Sequence, residues 1–217
     1  MDHSRITKTR SRGRPAGARN LQRNRLLLVA HDSLSKRLPQ DLNLGDVARR
    51  AGVTPALAHY YFRNRDGLID ALLRERIAPH VDDLVAAARM RAGQPQFALT
   101  FLMQRICSLL ASDPLPRRCL WLPHPAALKL REQLRACVRE LLVRAQNIHG
   151  LRADLSPAYL ADSLLGLVLF PFLDDDTPPH GGTERVAQLT LQHVALLRDG
   201  IVNAPRSQRS AGTNVNR

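Results

Sequence analysis

Apolar residues recur at helical spacing along most of the chain. Leu27, Ala30, Leu34 and Leu38 fall on one side of a segment from Leu21 to Arg37, with Arg23, Asp32 and Lys36 elsewhere. This spacing predicts a first helix that Pro39 stops. Residues 44–51 predict a short second helix, closed by Gly52, which can adopt a left-handed turn. Thr54 then reads as an N-cap, with Pro55 at the first helical position, where its missing N–H costs nothing. The third helix runs to about Phe62. Asn64 caps a fourth, from Arg65 to about Ile77, with Leu68, Ile69, Leu72 and Leu73 on its apolar face and Pro79 marking its end.

Further breaks fall at Gly93-Gln94-Pro95, Asp113-Pro114 to Pro116, Pro123-His124-Pro125 and Pro178-Pro179. Between them the pattern predicts helices at about 80–92, 95–111, 126–149, 156–172 and 184–199. No segment alternates with period two, so the expected fold class is all-α. Residues 203–217 lack an apolar face and are expected to be disordered. The expected organisation is a basic arm (1–20), a first helical domain (21–78), a second helical domain (79–202) and a tail (203–217).

Two short helices joined by a Gly-centred turn make a helix-turn-helix. Leu44, Val47 and Ala48 are expected to face inward from its first helix, and Val53, Leu57 and Phe62 from its second. Thr54, Pro55, Ala56, His59, Tyr60 and Tyr61 are then left for the major groove, which the start of a recognition helix reads. Pro55 or Ala56 can meet a thymine methyl, and Thr54 or His59 can hydrogen-bond a base edge. Tyr61 and Arg65 lie further along, where hydroxyl and guanidinium meet phosphate.

Charge strengthens this reading. The 217 residues carry a net charge of +13, from 32 Lys+Arg against 19 Asp+Glu. Residues 1–25 alone hold eight basic side chains and one acidic one, Asp2. Within that arm, Arg12-Gly13-Arg14-Pro15 sets two guanidiniums around a glycine in a segment too polar to fold alone. Such a segment can follow a narrow minor groove, where Arg is drawn by the enhanced negative potential.

The run Gly52-Val53-Thr54-Pro55-Ala56-Leu57-Ala58-His59-Tyr60-Tyr61-Phe62, followed by Arg63-Asn64-Arg65-Asp66-Gly67-Leu68, resembles the DNA-binding signature of the TetR/AcrR family of bacterial transcriptional regulators. The resemblance implies base contacts from Thr54, Pro55, Ala56, Leu57 and His59, and backbone contacts from Tyr61 and Arg65. It places Asn43 and Leu44 near phosphate. One departure concerns Ala58, which stands where the family usually has a larger apolar residue, while Leu57 occupies a position often small and polar.

For the remainder the resemblance implies a helical ligand-binding domain whose last two long helices pair with a second chain as a four-helix bundle. The sequence supports this independently, because the segment 156–172 is apolar over more than one face and must be covered by something. Leu160, Leu164, Leu167 and Val168, with Leu189, Val194 and Leu197 in the last helix, are the expected dimer interface. Dimerisation would supply two recognition helices, for half-sites roughly 34–36 Å apart on a palindromic operator in double-stranded DNA. Expected pocket residues for an unidentified small-molecule effector are Phe97, Phe101, Met103, Arg105, Trp121, His124 and Phe170.

No catalytic constellation has persuasive spacing, and neither an enzyme nor a cofactor is expected. Asp174-Asp175-Asp176 with His180 reads as a solvated loop. Cys107, Cys119 and Cys137 do not make a disulfide framework. Arg117 and Arg118 beside Cys119 leave a redox-sensing thiol as an alternative to burial. The longest apolar stretch, Leu164 to Leu173, is about half a membrane span, and a cytoplasmic setting is expected. The functional expectation is a ligand-responsive repressor that a small molecule releases from DNA. The alternatives are an ungated architectural DNA-binding protein and a protein-protein adaptor with a vestigial helix-turn-helix.

Overall fold

The computed structural model describes residues 16–148, 154–169 and Phe172. They fall into two compact units, divided between Leu68 and Ile69. Among the described residues every regular element is helical.

The first unit contains α1 (Ala16–Leu34), a 3-10 turn (Pro39–Asp41), α2 (Leu44–Arg50), α3 (Pro55–Phe62) and the start of α4 (Arg65–Leu72). Helix α1 begins five residues before the expected start and ends three before the expected end. Its last turn is loosened by serines that bond back to the chain: Ser33 Oγ donates to the Val29 carbonyl (2.7 Å) and Ser35 Oγ to that of Asp32 (2.7 Å). Pro39 therefore does not stop the helix; it is buried and opens the 3-10 turn. Leu38 falls outside the inward stripe and is 38% exposed. Leu26, Leu27, Ala30 and Leu34 instead meet Leu44, Val47, Ala48, Ala58 and Phe62 in one core. Arg50 fastens α2 to α1 by bonding Ser33 Oγ (2.5 Å) and the Asp32 carboxylate. Hydrogen bonds from Arg50 and Lys36 hold the Asp32 carboxyl below its ordinary range.

Two turns set the recognition helix. Gly52 takes the left-handed conformation (φ +65°) expected between α2 and α3. After α3, Arg63 sits at φ 61° and ψ −54°, and the Asn64 N–H reaches back to the Phe62 carbonyl at 2.7 Å. This is a γ-turn of the strained hand. Gly67 makes room for it, since a Cβ there would lie 2.0 Å from the Phe62 oxygen.

The second unit holds the end of α4, a π-helical turn (Leu73–Ile77), α5 (Ala78–Met90), α6 (Pro95–Ser112), α7 (Pro114–Cys119), α8 (Pro125–Asn147) and α9 (Pro157–Leu169). Pro79 does not end the fourth helix. The Ala78 N–H bonds the Leu73 carbonyl five residues back, and this wider turn carries the chain past a proline that would otherwise strike the preceding turn. Nor is 114–116 a simple break. Asp113 accepts from the Leu115 N–H at 2.8 Å and caps α7, so Pro114 occupies the first turn, where proline is tolerated. Helix α8 packs against α5, α6 and α9, and α7 packs against α6 and the π turn. Arg89 to Glu140 (3.2 Å) and Gln133 to Asp82 (2.6 Å) tie α5 to α8.

Leu160, Leu164 and Val168, expected at a dimer interface, are buried within the chain itself, where α9 lies on α6 and α8. Leu167 is only half-buried, and Leu189, Val194 and Leu197 lie outside the described residues. Gly166 sits inside α9 with open space where a Cβ would project. Gly166→Ala is expected to stabilise the protein by roughly 0.5–1 kcal/mol through helix propensity, read as a rise in Tm.

Candidate nucleic-acid interface and helical cavity

Helix α3 is fixed from both sides. Thr54 Oγ1 accepts from the Leu57 N–H (3.3 Å), Pro55 opens the helix, and Ala58 and Phe62 anchor its inner face. The Arg23 guanidinium lies 5.3 Å from the centre of the Phe62 ring. Thr54, Pro55, Ala56, His59 and Tyr60 consequently face outward, Tyr60 at 72% exposure. Leu57 is half-buried, and Ala58 rather than Leu57 takes the fully buried position. Val53 is likewise only half-buried.

His59 has a defined tautomer. Its Nδ1 lies 2.8 Å from the Arg63 carbonyl oxygen, which can only accept, so Nδ1 carries the proton. In the neutral ring Nε2 is then an acceptor, suited to the exocyclic amine of adenine or cytosine. Tyr61 is half-buried between the rings of Tyr60 (5.4 Å, edge-on) and Phe62 (6.2 Å). Tyr61→Phe is expected to lower DNA affinity without changing the preferred sequence, measured by titration against a panel of operator variants. A changed preference would place the hydroxyl on a base rather than on the backbone.

At the start of α2, Asn43 Oδ1 accepts from the N–H groups of Gly45 (2.8 Å) and Asp46 (3.3 Å). Leu44 is 6% exposed, so its side chain is committed to the core and cannot reach phosphate. Arg65 stays exposed while its Nη1 donates to the Gln40 carbonyl (3.1 Å) and its Nε to Asp66 (3.4 Å), which holds the guanidinium near the helix-turn-helix. Arg12 and Arg14 lie outside the described residues.

The second unit contains a cavity of about 370 Å³ bordered by α6, α8, α9 and the segment after α7. Of the expected pocket residues that are described, Trp121 lines it. Met103 is buried in the core, and Phe97 and Arg105 are exposed. Phe101 lies beneath the Arg91 guanidinium at 4.2 Å, and His124 Nδ1 caps α8 by accepting from the Ala126 N–H (3.3 Å). Phe170 is outside the described residues, as are Asp174, Asp175, Asp176 and His180. Sequence reasoning missed Arg131, whose Nη1 donates to the carbonyls of Leu120 and Leu122 (the latter at 3.3 Å) beside the Trp121 ring. The signal was faint: Arg131 borders the buried stripe of Ala127, Leu130 and Leu134.

All three cysteines are free and buried. Burial pushes the Cys119 thiol up to about 12, with Asp113 adding to the effect and Arg118 opposing it weakly. Its neighbouring arginines therefore do not produce a reactive thiolate. No helix among the described residues is long and apolar enough to cross a membrane.

A capped, outward-facing α3 on a packed helix-turn-helix, followed by a helical unit with its own cavity, defines a helix-turn-helix protein of two helical units. Residues 26–72, which span the helix-turn-helix unit, match the family model of bacterial regulatory proteins, tetR family. HTH-type transcriptional regulator BetI of Brucella anthropi is 28% identical over 135 residues, covering 62% of this chain and 66% of that protein. BetI of Rhizobium meliloti is 34% identical over 124 residues, covering 54% and 57%. The chain thus aligns with no more than about two thirds of these relatives' length. Among solved structures, native NalD, the secondary repressor of the MexAB-OprM multidrug efflux pump in Pseudomonas aeruginosa, has a TM-score of 0.67 at 20% identity, over 86% of this chain and 100% of that one. FadR from Bacillus subtilis in complex with stearoyl-CoA has a TM-score of 0.65 at 13% identity, over 82% and 99%. These likenesses extend the shared fold across the second unit.

Proposed function

We propose that the protein is a homodimeric transcriptional repressor that binds a palindromic operator and is released by a small-molecule effector. The observation that carries the reading is α3 itself, capped by Thr54, anchored by Phe62 and presenting Thr54, Pro55, Ala56, His59 and Tyr60 outward. The basic arm adds sequence-independent attraction to the backbone. With Leu160, Leu164 and Val168 committed to the chain's own core, pairing falls to the exposed face of α9, with Tyr159 and Leu167, and to the last predicted helix.

Effector coupling has a physical route within the second unit. Leu120 and Trp121 line the cavity and directly follow α7, which packs against the π turn at Leu73–Ile77. That turn continues α4, whose first residues follow the recognition helix. A ligand that displaces α7 thus acts on a turn with non-α hydrogen bonding, which can change register more readily than a regular helix. Complete release requires a preference of about 5.5 kcal/mol for the non-binding state.

The test is titration of the purified protein against its own upstream DNA and against random DNA of equal length, each at two salt concentrations. Tight, selective and salt-sensitive binding is expected. Equal affinity for both DNAs would favour the architectural role, and no binding to either would overturn the interface.

A further inference from the structure

We propose that the cavity bordered by α6, α8 and α9 takes an organic anion, a carboxylate head on an apolar body, with the head held by Arg131. This deepens, and rests on, the reading of the second unit as the effector-binding one. The volume of about 370 Å³ falls at the small end of ligand sites. Ile106, Leu128, Leu134, Leu165 and Leu169 supply an apolar lining for the body of the ligand.

The polar groups at this site are unequal. Trp121 contributes its ring to the lining and not its N–H, because Nε1 is closed off from the cavity space. The Arg131 guanidinium lies 5.7 Å from the centre of the same indole ring. Its Nη1 donates to the carbonyls of Leu120 and Leu122, which fix the group without neutralising it. No carboxylate among the described residues forms an ion pair with it. The two carboxylates that line the cavity, Glu132 and Asp162, both serve Arg135, at 3.6 and 2.7 Å, on the half-exposed rim. A cationic ligand therefore meets acids already paired, and a neutral apolar ligand leaves the Arg131 charge without a counterion. An anion supplies that counterion through charge-assisted bonds to the guanidinium.

Trp121 is the sole tryptophan of the chain, so its emission reports on this cavity alone. The experiment titrates the full-length protein, without DNA, with decanoate, decanol and decyltrimethylammonium, following that emission. Saturable binding of decanoate is expected, at least about tenfold tighter than decanol, with no saturable response to the cation. Arg131→Met is expected to erase the preference for decanoate over decanol. Because Arg131 also holds two carbonyls, a second variant guards against misfolding: Gly166→Leu projects into space the glycine leaves open and should abolish binding with the thermal melt intact. Decanol binding as tightly as decanoate, saturable binding of the cation, or no saturable response to any probe would overturn the inference. Operator titration run in parallel separates the two readings: lost DNA binding with decanoate binding kept defeats the repressor, and the converse defeats the anion site.

Discussion

Phe62→Ala is expected to unfold the DNA-binding unit or leave it marginal, with a loss of ~3–5 kcal/mol. The ring is 3% exposed, anchors the C-terminal end of α3 and carries the Arg23 guanidinium above it. Its removal opens a cavity beneath a helix of only eight residues, which has little stability apart from its packing. A domain is held by about 5–15 kcal/mol in total, so this one side chain decides a large share. Tyr60→Ala is the matched control: the residue is 72% exposed, and its loss should shift stability by no more than about 0.5 kcal/mol. Thermal melts followed by circular dichroism check both. A Phe62→Ala protein that melts like the parent would mean that the inner face of α3 is wrongly assigned.

Removing residues 1–15 is expected to weaken binding to all DNA sequences alike and to flatten its salt dependence. The deletion takes away Arg5, Lys8, Arg10, Arg12 and Arg14 but stops short of α1, which begins at Ala16. A cut at residue 19, which the sequence boundary of the arm suggests, would instead remove the first turn of that helix. Each phosphate that is no longer neutralised lowers the slope of log affinity against log salt by about 0.9. If most of these cations engage the backbone, affinity near physiological salt falls by roughly two or more orders of magnitude. Titrations at several salt concentrations, on operator and random DNA, measure both quantities. An unchanged slope would show that the arm does not touch the duplex.

The parts of the fold that were legible in the sequence are those specified locally. Gly52, Thr54 and Pro55 each dictate a backbone state on their own, and the structure places the left-handed turn, the cap and the helix start at those residues. Proline signals misled where context supplied an alternative. Pro79 is absorbed by a π turn, and Pro114 by the first turn of α7, where a missing N–H is harmless. Periodicity showed that Leu160, Leu164 and Val168 must be covered, but an apolar stripe does not identify its cover, and here they are buried within the same chain. The cavity was illegible for a related reason. Arg131 and Trp121 come together through packing between separate elements, an encounter no local pattern encodes.

The division of labour within each helix bears on how such a chain can diverge. Asn43, Thr54, Asn64, Asp113 and His124 accept from the first turns of α2, α3, α4, α7 and α8. Pro55, Pro95, Pro114, Pro125 and Pro157 open α3, α6, α7, α8 and α9. Boundaries carried by one or two residues leave the interior of a helix answerable mainly to its buried stripe. Most exposed positions in the second unit can then drift while the register of every helix is inherited intact. A lineage built this way can exchange the lining of its cavity without rebuilding the scaffold around it.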